Sequence, residues 1–364
     1  MPIPYFIVDV FTSTPYKGNP LAVVPALDTP LSTTEMKILA RQFNLSETTF
    51  ICPPTVSNAT YRLRSFLPNG EEVFGAGHNA LGAWWYIARS GLLGGDADGQ
   101  TGVYHQQLGD DLFPVEIVAS GSQISEDLEI DASMKNAGKK IEISMRQAKP
   151  QFLARHPDPA ALSAALGLDP SEIGFHAPGA ESPSGSGSGP FVCEARVVAT
   201  SPARHLLVPV RDVHVLRRVR FSSEAVATEL EKTQSYNSGV YVFAPLLTSA
   251  SVDKDEKNES DVVPRFQARF FSPGMGVEDP ATGSAAGPLG VYVWENGVVS
   301  SGYSREHGKE IHVEIVQGRQ RGRESVIRVG LELEERGAVG VVIRGTGALV
   351  AKGEMVVPGE EIEF

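Results

Sequence analysis

The sequence predicts an α+β protein built from two similar halves, and three observations carry that expectation. The first is an internal repeat: the segment beginning at Arg64 can be laid without gaps on the segment beginning at Arg269, 205 positions later. Arg64, Phe66, Pro68, Ala76, Ala80 and Gly82 then fall on Arg269, Phe271, Pro273, Ala281, Ala285 and Gly287, with Gly77-His78-Asn79 over Thr282-Gly283-Ser284. The second is local pattern, since each copy reads as a strand, a Gly/Pro turn and a helix opening on small residues. The third is length: 364 residues exceed one typical domain and suit two, each able to bury its own core. Strands alternating with single helices, twice over, give the α+β class.

In the first half an apolar strand runs from Tyr5 to Phe11, Gly18-Asn19-Pro20 makes a turn, and Leu21-Ala-Val-Val24 forms the next strand. A helix follows, because Ser32-Thr33-Thr34-Glu35 is a capping box and Met36, Leu39, Ala40 and Phe43 keep the spacing of one buried face. Asn44-Leu45-Ser46 breaks it and leads into a strand from Glu47 to Cys52. The repeated strand, Tyr61–Phe66, and a helix over Asn79–Arg89 come next. Gly94–Gln107 and Ser120–Lys139 are rich in Gly, Asp and Ser and read as surface insertions. A strand over Lys140–Met145 closes the half ahead of Pro150, so residues 1–148 form a first half and 149–364 a second, whose last strand is free to return to the first.

The second half opens with a short helix over Pro159–Gly167. Pro178–Pro190 is a low-complexity Pro/Gly/Ser tract, which lacks the lysine and the following helix of a phosphate loop. Strands over Phe191–Ala199 and His205–Val210, a helix from Ser222 to Lys232 and a strand over Gly239–Phe243 then repeat the earlier order. Asp253–Asp261 is a charged, solvated insertion before the repeated strand, Phe266–Phe271. A helix beginning near Ser284 tolerates Pro288, since first-turn N–H groups have no intrahelical partner. Short β-like runs follow at His312–Val316, Ser325–Leu333 and Val339–Arg344.

Composition excludes several function classes. Hydrophobic residues at 41% and charged residues at 21% describe an ordinary globular chain, and no apolar run reaches the ~18 residues of a membrane span. The N-terminus lacks the basic region and cleavage site of a signal peptide and reads as a strand, so cytosol is the default placement. A net charge of -12 argues against nucleic acid and against polybasic membrane binding. Arg319, Arg321 and Arg323 are diluted by Glu310, Glu314 and Glu324 and read as a solvated loop. The two cysteines, Cys52 and Cys193, lack CxxC spacing and sit in apolar runs as buried thiols. His105, His156, His176, His205, His214, His307 and His312 share no ligand spacing, so no metal site is expected.

The residues that could do chemistry cluster in the repeat and just before it. Glu47 lies at the mouth of a strand among apolar residues, where a carboxyl pKa can rise towards neutrality. The matching strand, Asn237–Phe243, carries no acid, so a single proton shuttle is one reading; a surface glutamate beside a helix break is the other, and context does not choose. His78 sits in the first turn of its helix, where the dipole favours neutral imidazole, and Gly75 and Gly77 allow close approach of a ligand. Its alternative role is a helix cap. In the counterpart loop, Asp279 could be a second acid/base, a partner holding His78, or a turn-forming residue before Pro280. Ser284 could bind a carboxylate with neighbouring N–H groups or act as an N-cap. The two helix N-termini are expected to point at one shared cleft, suited to a small anionic ligand.

Asp9-Val-Phe-Thr12 with Gly18-Asn-Pro-Leu-Ala-Val23, Ser46-Glu-Thr-Thr-Phe50, Arg64-x-Phe-x-Pro68 leading to Gly77-His78, and Asp279-Pro-Ala-Thr-Gly-Ser284 resemble, in order, the motifs of the phenazine-biosynthesis isomerase (PhzF-like) family. That resemblance implies the two-domain fold of diaminopimelate epimerase, in which each half wraps a mixed sheet or barrel around a central helix. It also implies a homodimer, no cofactor, and a proton shift on a small carboxylate substrate. Glu47, His78 and Asp279 take the catalytic positions, and Asn19, Gly77, Asn79, Gly283 and Ser284 the substrate-binding ones. Related epimerases and proline racemases oppose two thiols, whereas Cys52 and Cys193 lie outside both loops, which disfavours two-thiol racemisation. A thiol-independent epimerase, racemase or dehydratase of an amino-acid-like substrate, and a non-catalytic metabolite-binding or interaction module, are the alternatives.

Overall fold

Contacts in the computed structural model divide the chain into two units, Met1–Arg146 with Arg344–Phe364, and Gln147–Ile343. The structure describes residues 2–75, 77–94, 101–122, 139–177, 190–235, 238–246, 263–274, 276–299, 310–333, 339–359, 362 and 364. The expected loops at Pro178–Pro190 and Asp253–Asp261 therefore lie almost wholly outside the described residues.

In the first unit the strands are β1 (Pro2–Val10), β2 (Asn19–Pro25), β3 (Thr48–Cys52), β4 (Tyr61–Phe66), β5 (Glu72–Val73), β6 (Gly102–Leu108), β7 (Asp111–Ser122), β8 (Lys139–Arg146) and, from the C-terminus, β20 (Gly347–Val356). They pair in the order β20-β1-β2-β3-β4-β6-β7-β8, with β2/β3 and β4/β6 parallel and the other neighbours antiparallel. Helix α1 (Thr33–Phe43) connects β2 to β3. Its Ser32 capping box is present, and Asn44 ends it in the left-handed region at φ 52°. Met36, Leu39 and Ala40 bury the predicted face against Val24, Phe50 and Phe66. Helix α2 (His78–Ser90) is the centre of the unit: every residue but Ser90 is buried, and it packs on β1, β2, β3, β4, β8 and β20.

The second unit contains β9 (Gln151–Arg155), α3 (Pro159–Ala165), β10 (Phe175–His176), β11 (Phe191–Val192), β12 (Arg196–Ala199), β13 (His205–Pro209), α4 (Val213–Arg218), α5 (Ser223–Glu231) and β14 (Val240–Pro245). It continues with β15 (Arg265–Ser272), β16 (Val277–Asp279), α6 (Gly283–Glu295), β17 (Glu310–Gln317), β18 (Ser325–Leu333) and β19 (Val339–Gly345), the last reaching its boundary. Pairing runs β9-β12-β13-β14-β15-β17-β18, with β13/β14 and β15/β17 parallel and the rest antiparallel. Helix α6 packs on β12, β13 and β18.

From β20 to β7 the pairings of the first unit match, in order and direction, those from β9 to β18 in the second, which is the duplication expected from the repeat. Side chains repeat too. Arg64 grips Glu72 with Nε and a terminal nitrogen at 2.7 Å each, and Arg269 grips Glu278 in the same way at 2.9 Å each. Each guanidinium also lies over the ring two residues on, Phe66 at 5.1 Å and Phe271 at 4.8 Å. Register fixes the equivalences: Phe50 opposes Arg64 where Val242 opposes Arg269, so Glu47 corresponds to Gly239.

Several expectations need correction. The insertion read over Gly94–Gln107 contains β6, and β7 extends through Ser122 into the insertion read over Ser120–Lys139, whose residues 123–138 lie outside the described ones. The polar look of β6 misled because its buried amides are satisfied: Trp84 Nε1 donates to Gln106 Oε1 at 3.0 Å, and Gln107 Nε2 to Thr55 Oγ1 at 2.7 Å. The run Phe191–Ala199 is two strands, and Cys193, in the break between them, is exposed, whereas Cys52 is buried. Pro288 lies beyond the first turn of α6, so the Ser284 carbonyl lacks the amide donor a regular helix supplies.

Candidate active site

In the first unit the fold brings Asn19, Ser46, Glu47 and His78 together. Gly18 holds φ +68°, and a Cβ there would run into the Val10 carbonyl and Thr12, so glycine is needed where the chain swings into β2. The turn before it is tied by Asp9, whose buried carboxylate accepts the Tyr16 N–H at 2.6 Å. Asn19 thus begins β2 fully buried. From the other side, the left-handed stop of α1 aims Ser46 and Glu47 at the mouth of β3. Ser46 Oγ lies 3.5 Å from Asn19 Oδ1 and 3.4 Å from His78 Nε2. Glu47 Oε2 lies 3.2 Å from the same His78 nitrogen, with side-chain exposures of 18% and 8%. The two atoms are close without an aligned hydrogen bond: Glu47 Oε2 is buried and accepts no hydrogen bond among the described residues. A half-enclosed carboxylate oxygen in contact with an imidazole, and not locked by donors, is equipped to accept and return a proton.

Gly77 and Asn79 complete this end of α2. Asn79 Oδ1 accepts the Gly77 N–H at 2.8 Å and its Nδ2 donates to the Gly75 carbonyl at 3.0 Å, so the amide of Asn79 is spent on shaping the loop that presents His78.

In the second unit Asp279, Gly283 and Ser284 stand at the start of α6, held by a buried polar network. Thr282 Oγ1 donates to Asp279 Oδ2 at 2.5 Å. Gln317, fully buried at the end of β17, donates through Nε2 to the Asp279 carbonyl at 2.7 Å and to Thr282 Oγ1 at 3.0 Å. Its Oε1 accepts the Thr282 N–H at 3.1 Å and the Tyr241 hydroxyl at 2.9 Å. Burial, reinforced by the Asp279 charge, pushes the Tyr241 phenol well up, so it stays a donor. Asp279 thereby anchors the turn before the helix. Ser284, half-buried in the first turn, meets His205, whose Nε2 is 3.0 Å from Ser284 Oγ. Burial drives His205 down to about 4.

Sequence reasoning missed Thr282, Gln317 and His205 as parts of the site. Thr282 lay inside a quoted motif, and Gln317 is a lone polar residue closing an apolar strand. His205 was weighed only as a metal ligand. Among the described residues no cluster of His, Cys, Asp and Glu could hold a metal, and no helix is long and apolar enough to cross a membrane.

Comparison with known proteins agrees with the motifs. The family model described as phenazine biosynthesis-like protein matches residues 8–353. The uncharacterized isomerase mll1393 of Mesorhizobium japonicum is 30% identical over 97% of this chain and 98% of its own. The trans-2,3-dihydro-3-hydroxyanthranilate isomerase of Pseudomonas chlororaphis is 29% identical over 97% and 99%. The Bacillus anthracis phenazine biosynthesis protein of the PhzF family shares the fold at a TM-score of 0.71 and 23% identity, covering 98% of this chain and 100% of that one. With its duplicated α+β architecture, this chain belongs to the phenazine biosynthesis-like (PhzF) family of isomerases.

Proposed function

We propose that the chain is a cofactor-independent isomerase that moves a proton between two carbons of a small carboxylate-bearing metabolite, with Glu47 as the acid/base. The observation that carries this reading is the Glu47 carboxylate itself, buried at one oxygen, 3.2 Å from His78 Nε2 and holding no hydrogen bond at that oxygen among the described residues. The step balances without any co-reactant. Glu47 takes a proton from carbon as the C–H bond breaks, the electron pair delocalises towards the unsaturated, carboxylate-bearing frame, and the protonated Glu47 gives the proton back at a second carbon. His78, 3.2 Å away through Nε2, packs against the carboxylate and orients it. The second unit offers a carboxylate-binding element of its own, Ser284 with the N–H groups that open α6, and Asp279 keeps that turn in place through Thr282. Asn19, Gly77, Asn79 and Gly283 shape the loops around these groups.

The relative that acts on trans-2,3-dihydro-3-hydroxyanthranilate supplies the first compound to try, since it is a small unsaturated amino acid. Incubated with the protein in D2O, it should gain deuterium at carbon as isomerisation proceeds, read by mass spectrometry and NMR. Glu47→Gln should lower the exchange rate by about 10²–10⁴-fold, the usual span for removing a general acid/base. Full exchange by that variant would sink the assignment.

A further inference from the structure

We propose that His205 is a positioning residue that fixes the polarity of the Ser284 hydroxyl, so that Oγ accepts from the histidine and its own proton is donated to a ligand carboxylate. This rests on the reading of α6 as a carboxylate-binding element. His205 opens β13, is 3% exposed, and stands edge-on to Phe270 with ring centroids 5.1 Å apart. Its Nε2 is 3.0 Å from Ser284 Oγ, while its Nδ1 is buried with no hydrogen-bond partner among the described residues. One ring nitrogen of a neutral imidazole carries the proton. Placing it on Nδ1 leaves a buried N–H orphaned, the rarer and costlier outcome, whereas placing it on Nε2 makes a donor to Ser284 and leaves only a lone pair unmatched. The serine oxygen is then an acceptor, and its O–H has to point elsewhere.

Burial holds His205 neutral across the ordinary pH range, so the polarity does not invert near neutrality. The device exists in one unit only. Strand register puts Leu21 at the place equivalent to His205, because Ala22 opposes Thr48 where Leu206 opposes Val240. The repeat puts Asn79 at the place of Ser284, and its amide is already committed to Gly75 and Gly77. A hydroxyl with a directed proton therefore distinguishes the α6 end from the α2 end and marks it as the carboxylate grip.

Two measurements test this. Long-range ¹H–¹⁵N correlation spectra of the wild-type protein should show His205 as the Nε2–H tautomer from pH 8 to pH 5, with the Nε2 resonance moving in Ser284→Ala; an Nδ1–H tautomer overturns the proposal. Binding of anthranilate, a small carboxylate probe, is then followed by calorimetry. Ser284→Ala and His205→Phe should each weaken it tenfold or more, the double variant should be no weaker than Ser284→Ala, and His205→Gln, whose amide N–H can replace Nε2–H, should stay within threefold of wild type. Unchanged affinity in His205→Phe beside a loss in Ser284→Ala also overturns it. If Ser284→Ala binds as tightly as wild type, the carboxylate reading of α6 fails instead, and the tautomer still decides the His205–Ser284 polarity.

Discussion

Gly82 and Gly287, which the internal repeat pairs, are each the fifth residue of their helix, α2 and α6, and let each helix lie close to its surroundings. A Cβ at Gly82 would come within 2.6 Å of Val10 Cγ2 and 2.7 Å of Leu21 Cδ2, the ends of side chains that can shift. At Gly287 it would collide with the carboxamide of Gln147, which already donates to the Gly283 carbonyl at 3.1 Å and accepts from Thr200 Oγ1 at 2.6 Å. Alanine is intrinsically the better helix former by about 1 kcal/mol, but overpacking a dense core costs about 1–3 kcal/mol, and a displaced amide adds an unpaired polar group. Gly287→Ala should therefore destabilise more than Gly82→Ala, by about 2–4 against about 0–2 kcal/mol, seen as the larger drop in urea midpoint. Equal midpoints for the two variants would mean that Gln147 moves aside freely.

At the scale of elements, α6 is a helix whose N-terminus is organised by a strand end from elsewhere in its unit. Gln317 accepts from two donors and donates to two acceptors in one buried cluster, and replacing it by leucine leaves the Thr282 N–H and the Tyr241 hydroxyl without partners. Each orphaned group costs about 1–3 kcal/mol, so Gln317→Leu should lower stability by about 2–5 kcal/mol. It should also loosen the turn carrying Ser284, raising KM for a carboxylate substrate more than it lowers kcat; an unchanged KM would detach Gln317 from the site. This cluster also shows where the sequence stops being readable. The helix α1, the repeated strands and the helix starts at His78 and Gly283 were legible because capping boxes, periodicity and repetition are local signals. Glu47 and His78 were singled out by motif context, and the fold brings their side chains within 3.2 Å of each other. Gln317 and His205 were not, since their roles come from partners 35 and 79 residues away. Strand β6 was obscured by Gln106 and Gln107, polar residues that only tertiary partners make compatible with a core.

At the scale of the molecule, duplication supplies two equivalent frameworks that have diverged in their buried charge. Burial lowers the pKa of His205 to about 4, and burial also lowers that of His156, partly offset by the neighbouring Glu229 carboxylate. Both histidines belong to the second unit. A histidine held neutral when folded binds a proton more readily when unfolded, so acid favours the unfolded state. Its stabilisation is complete above the unfolded pKa of about 6.5 and is lost as pH falls towards the folded value. For His205 that loss amounts to something on the order of 3 kcal/mol, since one pKa unit is about 1.4 kcal/mol. Carboxylates act lower on the scale: the Ala161 N–H holds Asp158 down and the Ser171 hydroxyl and N–H hold Asp169 down, so their stabilisation persists until the pH falls below about 4. Hydrogen exchange read by mass spectrometry between pH 7 and 4, corrected for intrinsic rates, should therefore show protection of β13 and α6 falling steadily. His205→Phe should flatten that decline, whatever its own stability at pH 7, because the variant has no proton to gain there. A decline of unchanged slope in His205→Phe would show that the acid sensitivity of the second unit comes from other groups.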